Sequence, residues 1–310
     1  MGGSNVERTR QGIAPYLAAA GSAVIFGFSF LFTKNALDNL EAFELLGLRF
    51  FLAAVSVLLL HRLRLIQVML TWDKLRSLLL VALLQPLLYF ICETIGVQHT
   101  SSSVAGVLIG LIPVAVAAFS ALLLKEPVSR KQWAAIIVSA AGVVLLTWPQ
   151  LQEGLGGLGG VFALLGAVLA GALYNTVSRQ ASQKAEPAEV TYVMMLVGAV
   201  VFNLIVMTRA ALNGAPIMYF RVFASSETTF ALLYLGLLSS VGAFFLLNYA
   251  LSRLSASRAA VFINLTPVFS VAAGVLFRGE RLLPLQLMGA AVVLAGVWGV
   301  TSEKSRRNGG

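Results

Sequence analysis

The sequence predicts an all-α integral membrane protein in which ten transmembrane helices form two inverted five-helix repeats. Three observations lead there. Hydrophobic residues make up 58% of the 310 and charged residues only 11%, with mean hydropathy +0.87. Soluble domains carry about 25% charge, so lipid must be the solvent. Second, one stretch occurs twice without a gap. Ser101, Ser103, Ala105, Pro113, Glu126, Gln132, Gly142 and Thr147 fall on Ser255, Ser257, Ala259, Pro267, Glu280, Gln286, Gly296 and Thr301. Internal duplication in an apolar chain is the sequence mark of a transporter built from repeats. Third, the basic residues are segregated between alternate loops, as described below.

The spans follow from apolar runs near 20 residues, the length that crosses a bilayer as helix. They are expected at about 14–33, 42–60, 75–95, 102–123, 131–148, 159–178, 188–208, 228–250, 256–277 and 283–301. The first run ends in Thr33-Lys34-Asn35 without a small-residue cleavage site, and more spans follow it, so it reads as a span and not as a cleaved signal. Residues 14–148 are expected to form the first repeat, 149–158 an external linker and 159–301 the second repeat. The linker contains Gly154-Leu-Gly156-Gly157-Leu-Gly159, which formally matches a dinucleotide fingerprint. It follows no strand and opens no βαβ unit, so it carries no nucleotide reading.

Ten spans place both termini on one side. Of the 22 Lys and Arg, sixteen fall in the loops and tails of the side that holds the termini, five on the other side, and Arg49 inside the second run. Positive charge is retained in the cytoplasm, so both termini are expected there, in a multi-pass protein of the inner (plasma) membrane. Five spans per half is odd, which inverts the second half. Lys125-Glu126 then lies inside, while its counterpart Gly279-Glu280 lies outside. The net charge of +9 is spread over short loops and is no nucleic-acid footprint. The lone Cys92 and the two distant histidines, His61 and His99, offer neither a disulfide framework nor a metal cluster.

With these residues in place, the chain resembles the drug/metabolite transporter superfamily, EamA type, over about residues 14 to 301. The pattern is a proline in the fourth helix of each repeat, a Glu at its end and a Gly-rich fifth helix: Pro113, Glu126, Gly142 and Pro267, Glu280, Gly296. Leu48-Arg49-Phe50-Phe51 opening the second helix, Gly27 with Lys34 in the first and Arg179 closing the sixth also fit. The resemblance implies export of small metabolites across the inner membrane, with bacterial amino-acid exporters of the YddG kind as the nearest named relatives. The first run has no Asp or Glu, which departs from the four-helix multidrug relatives that rely on a Glu there.

Candidate functional residues are those that are costly in lipid. Pro113 and Pro267 each remove a backbone donor within a span, and act as hinges or as static kinks. Glu126 and Glu280 sit at helix ends, as gating charges or as caps of the following helix. Arg49, Glu93 and Arg258 are ionisable at membrane depth. Arg49 and Glu93 lie at similar depth and are placed to pair with each other, Arg49 alternatively with Glu44, or to meet the ends of a zwitterionic substrate. Ser29, Ser103, Asn175, Asn248 and Asn264 need a partner helix or a cavity. Phe26, Tyr89, Tyr174 and Phe245 are aromatic candidates to line such a cavity. The remaining small residues, among them Gly106, Gly110, Gly289 and Gly296, read as helix packing.

The expected function is therefore a secondary transporter that exports small metabolites, amino acids with apolar or aromatic side chains foremost, by alternating access. Drugs, purines or other metabolites are the alternative cargo, and a channel or an intramembrane enzyme the alternative class. No catalytic cluster, cofactor or metal is expected, and no ATP motor, since no Walker lysine follows the Gly-rich linker. The expected partners are the substrate and the bilayer, with no nucleic acid, and the expected state is a monomer.

Overall fold

A computed structural model describes residues 13–123, 129–149, 155–182, 184–214, 217, 219–254, 259, 262 and 264–307. Helix α1, Ala14–Leu37, starts on Pro15, where a missing N–H costs nothing. Helix α2, Ala42–Arg62, opens with a capping box between Glu41 and Glu44. Helix α3 runs in three pieces, Trp72–Ala82, the π-helical Leu83–Leu88 and Tyr89–Gln98. It starts on Thr71, whose side chain accepts from the Lys74 N–H. It breaks at Gln85-Pro86, where Gln85 adopts φ −148 and ψ 115, because proline cannot continue the hydrogen-bond ladder. Helix α4 has two pieces, Ser102–Ile109 and Ile112–Leu123, the first capped by Ser101. Helix α5 is Arg130–Leu146.

The second set follows the same plan. Helix α6 is Leu155–Ala181. Helix α7, Pro187–Asn213, opens with a Glu186/Glu189 capping box and closes on Gly214 at φ 62, a conformation open to glycine. A 3₁₀ turn, Tyr219–Ala224, leads to α8. Like α3, α8 has a π-helical centre: Ser226–Leu233, Tyr234–Ala243 and Phe244–Arg253. Helix α9 is Leu265–Arg278 and helix α10 is Pro284–Arg307.

Seven of these helices are long and apolar enough to cross a membrane. The apolar stretches Trp133–Leu146, Leu265–Arg278 and Pro284–Gly299 of α5, α9 and α10 are shorter. Of the ten expected spans, the described residues show seven clear ones and three shorter apolar helices. Of the ninth run, expected from 256, residues 259, 262 and 264 onward are described, with the helix Leu265–Arg278, and Arg258 lies outside the described residues. Pro113 follows the break at Gly110-Leu111 that divides α4 into its two pieces. Pro113 and Pro267 fall in the first turns of Ile112–Leu123 and Leu265–Arg278, where the absent N–H has no intrahelical partner to lose. Large apolar side chains such as Leu204, Phe230, Leu276 and Trp298 are more than half exposed, as a lipid-facing surface requires.

Three helices pack against their own counterparts five positions on: α2 on α7, α4 on α9 and α5 on α10. The remaining contacts exchange in the same way, α3 on α6 with α8 on α1, and α4 on α6 with α9 on α1. Each self-paired crossing is antiparallel. Asn203 donates to the Gly47 carbonyl at 3.0 Å, while His61 stacks near Tyr192 further along. Gly142 meets Val293, and Gly296 meets Ala135 and Ser139.

Two cations repeat the plan at opposite ends of the bundle. Lys34, in the last turn of α1, donates to the carbonyls of Val97 at 2.8 Å, Gln98 at 3.0 Å and Thr100 at 2.6 Å, where α3 ends. Arg179, in the last turn of α6, donates to the carbonyls of Leu251 at 2.7 Å and Ser252 at 3.0 Å, where α8 ends. Both satisfy carbonyls that a helix end leaves bare.

Candidate functional site

Helices α1, α3, α4, α6, α8 and α9 surround a small cavity of about 50 Å³, room for a few waters. Its wall is mostly apolar and aromatic, with Phe26, Phe30, Tyr89, Phe90, Ile109, Ile112 and Leu247. Its polar groups are Ser22, Ser29, Gln85, Glu93, Asn175 and Thr266. The break in α3 places Gln85 and Tyr89 on this wall, and Glu93 follows one turn later. Gly171 on α6 admits Ile112 and Tyr89 so closely that an added Cβ would lie 2.8 Å from Ile112 Cδ1.

Of the residues singled out in the sequence, the fold brings Phe26, Ser29, Tyr89, Glu93 and Asn175 together on this cavity. Others lie elsewhere. Tyr174 and Asn248 are fully buried in a bond network behind the wall. The Tyr174 hydroxyl donates to Asn248 Oδ1 at 2.8 Å, Ser178 donates to the same oxygen at 3.1 Å, and Asn248 Nδ2 donates to Thr191 at 3.1 Å. That network ties α6, α7 and α8. Phe245 points outward, 38% exposed, while its neighbour Phe244 is buried. Asn264 caps the start of α9 by position without a side-chain bond, and its buried Oδ1 has no partner. His99 is exposed at the end of α3. Gln85 and Thr266 were not foreseen as lining residues. The signal was present, since each adjoins a proline inside an apolar run.

Arg49 departs from the expected ion pair. Its guanidinium is buried and no Arg49–Glu93 approach falls within ion-pair distance. Nε donates to Ser240 at 2.8 Å and Nη2 to Ser239 at 3.0 Å, on the π-helical centre of α8. The cation lies 4.2 Å from the Phe90 ring centroid. Two hydroxyls and an aromatic face thus offset the cost of burying it.

Ser103 serves another carboxylate. Glu280, in the loop after α9, accepts from the Ser102 N–H at 2.8 Å and the Ser103 N–H at 3.0 Å, and from both hydroxyls. The expectation was a cap on the following helix. Glu280 instead caps α4, 178 residues back, because α9 ends where antiparallel α4 begins. Its equivalent Glu126 lies outside the described residues. Burial alone would push the Glu280 carboxyl up, but the Ser103 and Ser102 donors outweigh it and hold it below its usual range. A depressed carboxylate contributes stability that is present above its unfolded value, near ~4.3, and is lost as pH falls through the folded value. Glu280→Ala should therefore lower stability by about 1–2 kcal/mol at pH 7. The gap from the unaltered protein, read by thermal melting in detergent, should close below about pH 4. A gap that persists at acid pH would show that the loss is one of packing.

Comparison with known proteins accords with this architecture. The EamA-like transporter family matches twice, at residues 13–148 and 158–302. The uncharacterized transporter YcxC of Bacillus subtilis (strain 168) is 33% identical over 95% of this chain and 96% of its own length. An uncharacterized transporter of Archaeoglobus fulgidus is 24% identical over 93% of this chain and 99% of its own. A solved crystal structure, 18% identical, shares the fold with TM-score 0.65 over 96% of this chain and 99% of that one. The chain belongs to the EamA-like transporter family, and it is a multi-pass membrane transporter of the drug/metabolite type.

Proposed function

We propose that this family member is a secondary exporter of small amino compounds with apolar or aromatic bodies, working by alternating access. Amino acids of that kind are the cargo expected from the resemblance. The observation that carries the reading is the cavity itself, which lies where α1, α3 and α4 meet α6, α8 and α9. A site between two repeats opens to one side and then to the other when they rock. Inversion of the repeats is supported by the antiparallel counterpart pairs and by the Lys34 and Arg179 ties at opposite ends. In this reading residues 14–148 and 159–301 are the moving units, α5, α9 and α10 also cross the bilayer, and both termini face the cytoplasm of the inner-membrane cell.

The test is flux from liposomes. Reconstituted protein preloaded with apolar and aromatic amino acids and their amine relatives should release them without ATP, down the substrate's own gradient or against an ion gradient. Release no faster than from empty liposomes, across a wide metabolite panel, would sink the reading. A second measurement checks the path. Gly171→Phe adds a ring where even a Cβ already presses on Ile112. It should lower flux at least about tenfold while the protein still elutes as one folded species. Normal flux from that variant would place the path elsewhere.

A further inference from the structure

Two acceptors on the cavity wall lack a bonded donor. Glu93 is buried and takes one bond, from the Thr94 hydroxyl to Oε2 at 3.2 Å. Its other oxygen takes none. Asn175 gives one of its two N–H to the Gly171 carbonyl at 2.7 Å, and its Oδ1 is buried and unpartnered. Ser22, Ser29 and Thr266 give their protons to the carbonyls of Ala19, Phe26 and Ala23. The wall thus keeps two open acceptors, Glu93 Oε1 and Asn175 Oδ1, beside the donors of Gln85 and Tyr89, and a buried acceptor without a partner is costly.

The charge inventory points the same way. Among the described residues, Glu93 is the only ionisable carboxylate on the lining, and no described Lys, Arg or His is on it. Arg49 lies against the Phe90 ring with Nε on Ser240 and Nη2 on Ser239, and it is not among the described lining residues. The donors left for an incoming anion are the Gln85 amide and the Tyr89 hydroxyl, both in the field of Glu93. A cargo carboxylate would enter there against a like charge. A cargo ammonium would meet a carboxylate, an open amide oxygen and the faces of Phe26, Phe90 and Tyr89, which attract cations.

We propose that the cavity selects organic ammonium ions that carry N–H, on an apolar or aromatic body, over zwitterions, anions and quaternary ammonium ions, with Glu93 and Asn175 as the anchor. This rests on the reading of the cavity as the cargo site. Discrimination against the quaternary ion follows from Asn175 Oδ1, which only an N–H can satisfy. Discrimination against the amino acid follows from the absence of a cation among the described lining residues.

Four ligands with one body separate these terms: 2-phenylethylammonium, phenylalanine, 3-phenylpropionate and trimethyl(2-phenylethyl)ammonium. Their binding to the purified, detergent-solubilised protein is measured by titration calorimetry at pH 7. The primary ammonium should bind about tenfold more tightly than each of the others. Glu93→Gln should bring it to within about twofold of the trimethyl ion. Phenylalanine or phenylpropionate binding as tightly as the amine would overturn the proposal, and so would a trimethyl ion that binds equally. An unchanged ranking in a folded Glu93→Gln protein would do the same. If that variant fails to fold, the ranking on the unaltered protein decides. If none of the four binds, the proposal fails, and the liposome panel shows separately whether transport of another metabolite stands.

Discussion

Gly289→Val should abolish the folded protein. An added Cβ at Gly289 lands on the backbone of Leu146, 2.8 Å from its Cα, and 2.9 Å from the Gly142 carbonyl. At Gly142 it would lie 2.6 Å from the Val293 nitrogen, and at Gly296 2.7 Å from the Ala135 carbonyl. These neighbours are main chain, so no rotamer change relieves the overlap. Helices α5 and α10 would have to separate along the whole crossing. In lipid that crossing is held by close packing and not by a hydrophobic drive, so separation removes its main source of attraction. Forced overpacking costs about 1–3 kcal/mol where side chains can yield, and more is expected here. The measurement is yield and monodispersity in detergent after expression. Gly159→Ala is the matched control, because nothing lies within 4 Å of its added Cβ. It should express normally, and in a helix interior it should gain slightly. A Gly289→Val protein that folds and melts like the unaltered one would mean that α5 and α10 do not cross in this way.

That crossing was legible in the sequence as small residues in two fifth helices. The reason is that close approach in membranes selects glycine wherever it occurs. The positions of the helices were legible for a similar reason, since long apolar runs have few other uses. The facing of individual residues was not. In a helix that is apolar all round, periodicity gives no inside, so Phe244 and Phe245 could not be told apart, although one is buried and the other is 38% exposed. Uncharged polar residues were equally silent. Asn175 faces the cavity and Asn248 faces Tyr174 and Thr191, and both must find a partner in lipid.

The partner of Glu280 was derivable and went unread. An inverted repeat sets the end of α9 beside the start of α4, where Ser102 and Ser103 stand ready as donors. Sequence neighbours suggested the following helix, and topology overruled them. The Arg49–Glu93 pair failed for a different reason. Depth along the membrane normal says nothing about direction around a helix, and Arg49 turned to α8.

Arg49→Met should cost about 3 kcal/mol of stability, and Glu93→Gln should restore part of it. The first half of the expectation follows from what the side chain leaves behind. Ser239 and Ser240 lose charge-assisted bonds of 3.0 Å and 2.8 Å, and the Phe90 ring loses a cation at 4.2 Å. Each hydrogen bond to a charged group is worth about 1.5–3 kcal/mol, partly recovered because Met fills most of the volume. The second half follows from Glu93. Its carboxylate is buried on the cavity wall and interacts through space with Arg49, a compensating charge among the described residues. Removing Arg49 leaves that charge without it, which is the condition under which broken buried pairs cost most. Replacing the carboxylate by an amide removes the charge and with it the need. The two substitutions should therefore be coupled by about 1 kcal/mol or more in a double-mutant cycle on thermal or denaturant unfolding in detergent. Strict additivity would show that Arg49 acts only as a tie between α2 and the π-helical centre of α8, without electrostatic coupling to Glu93.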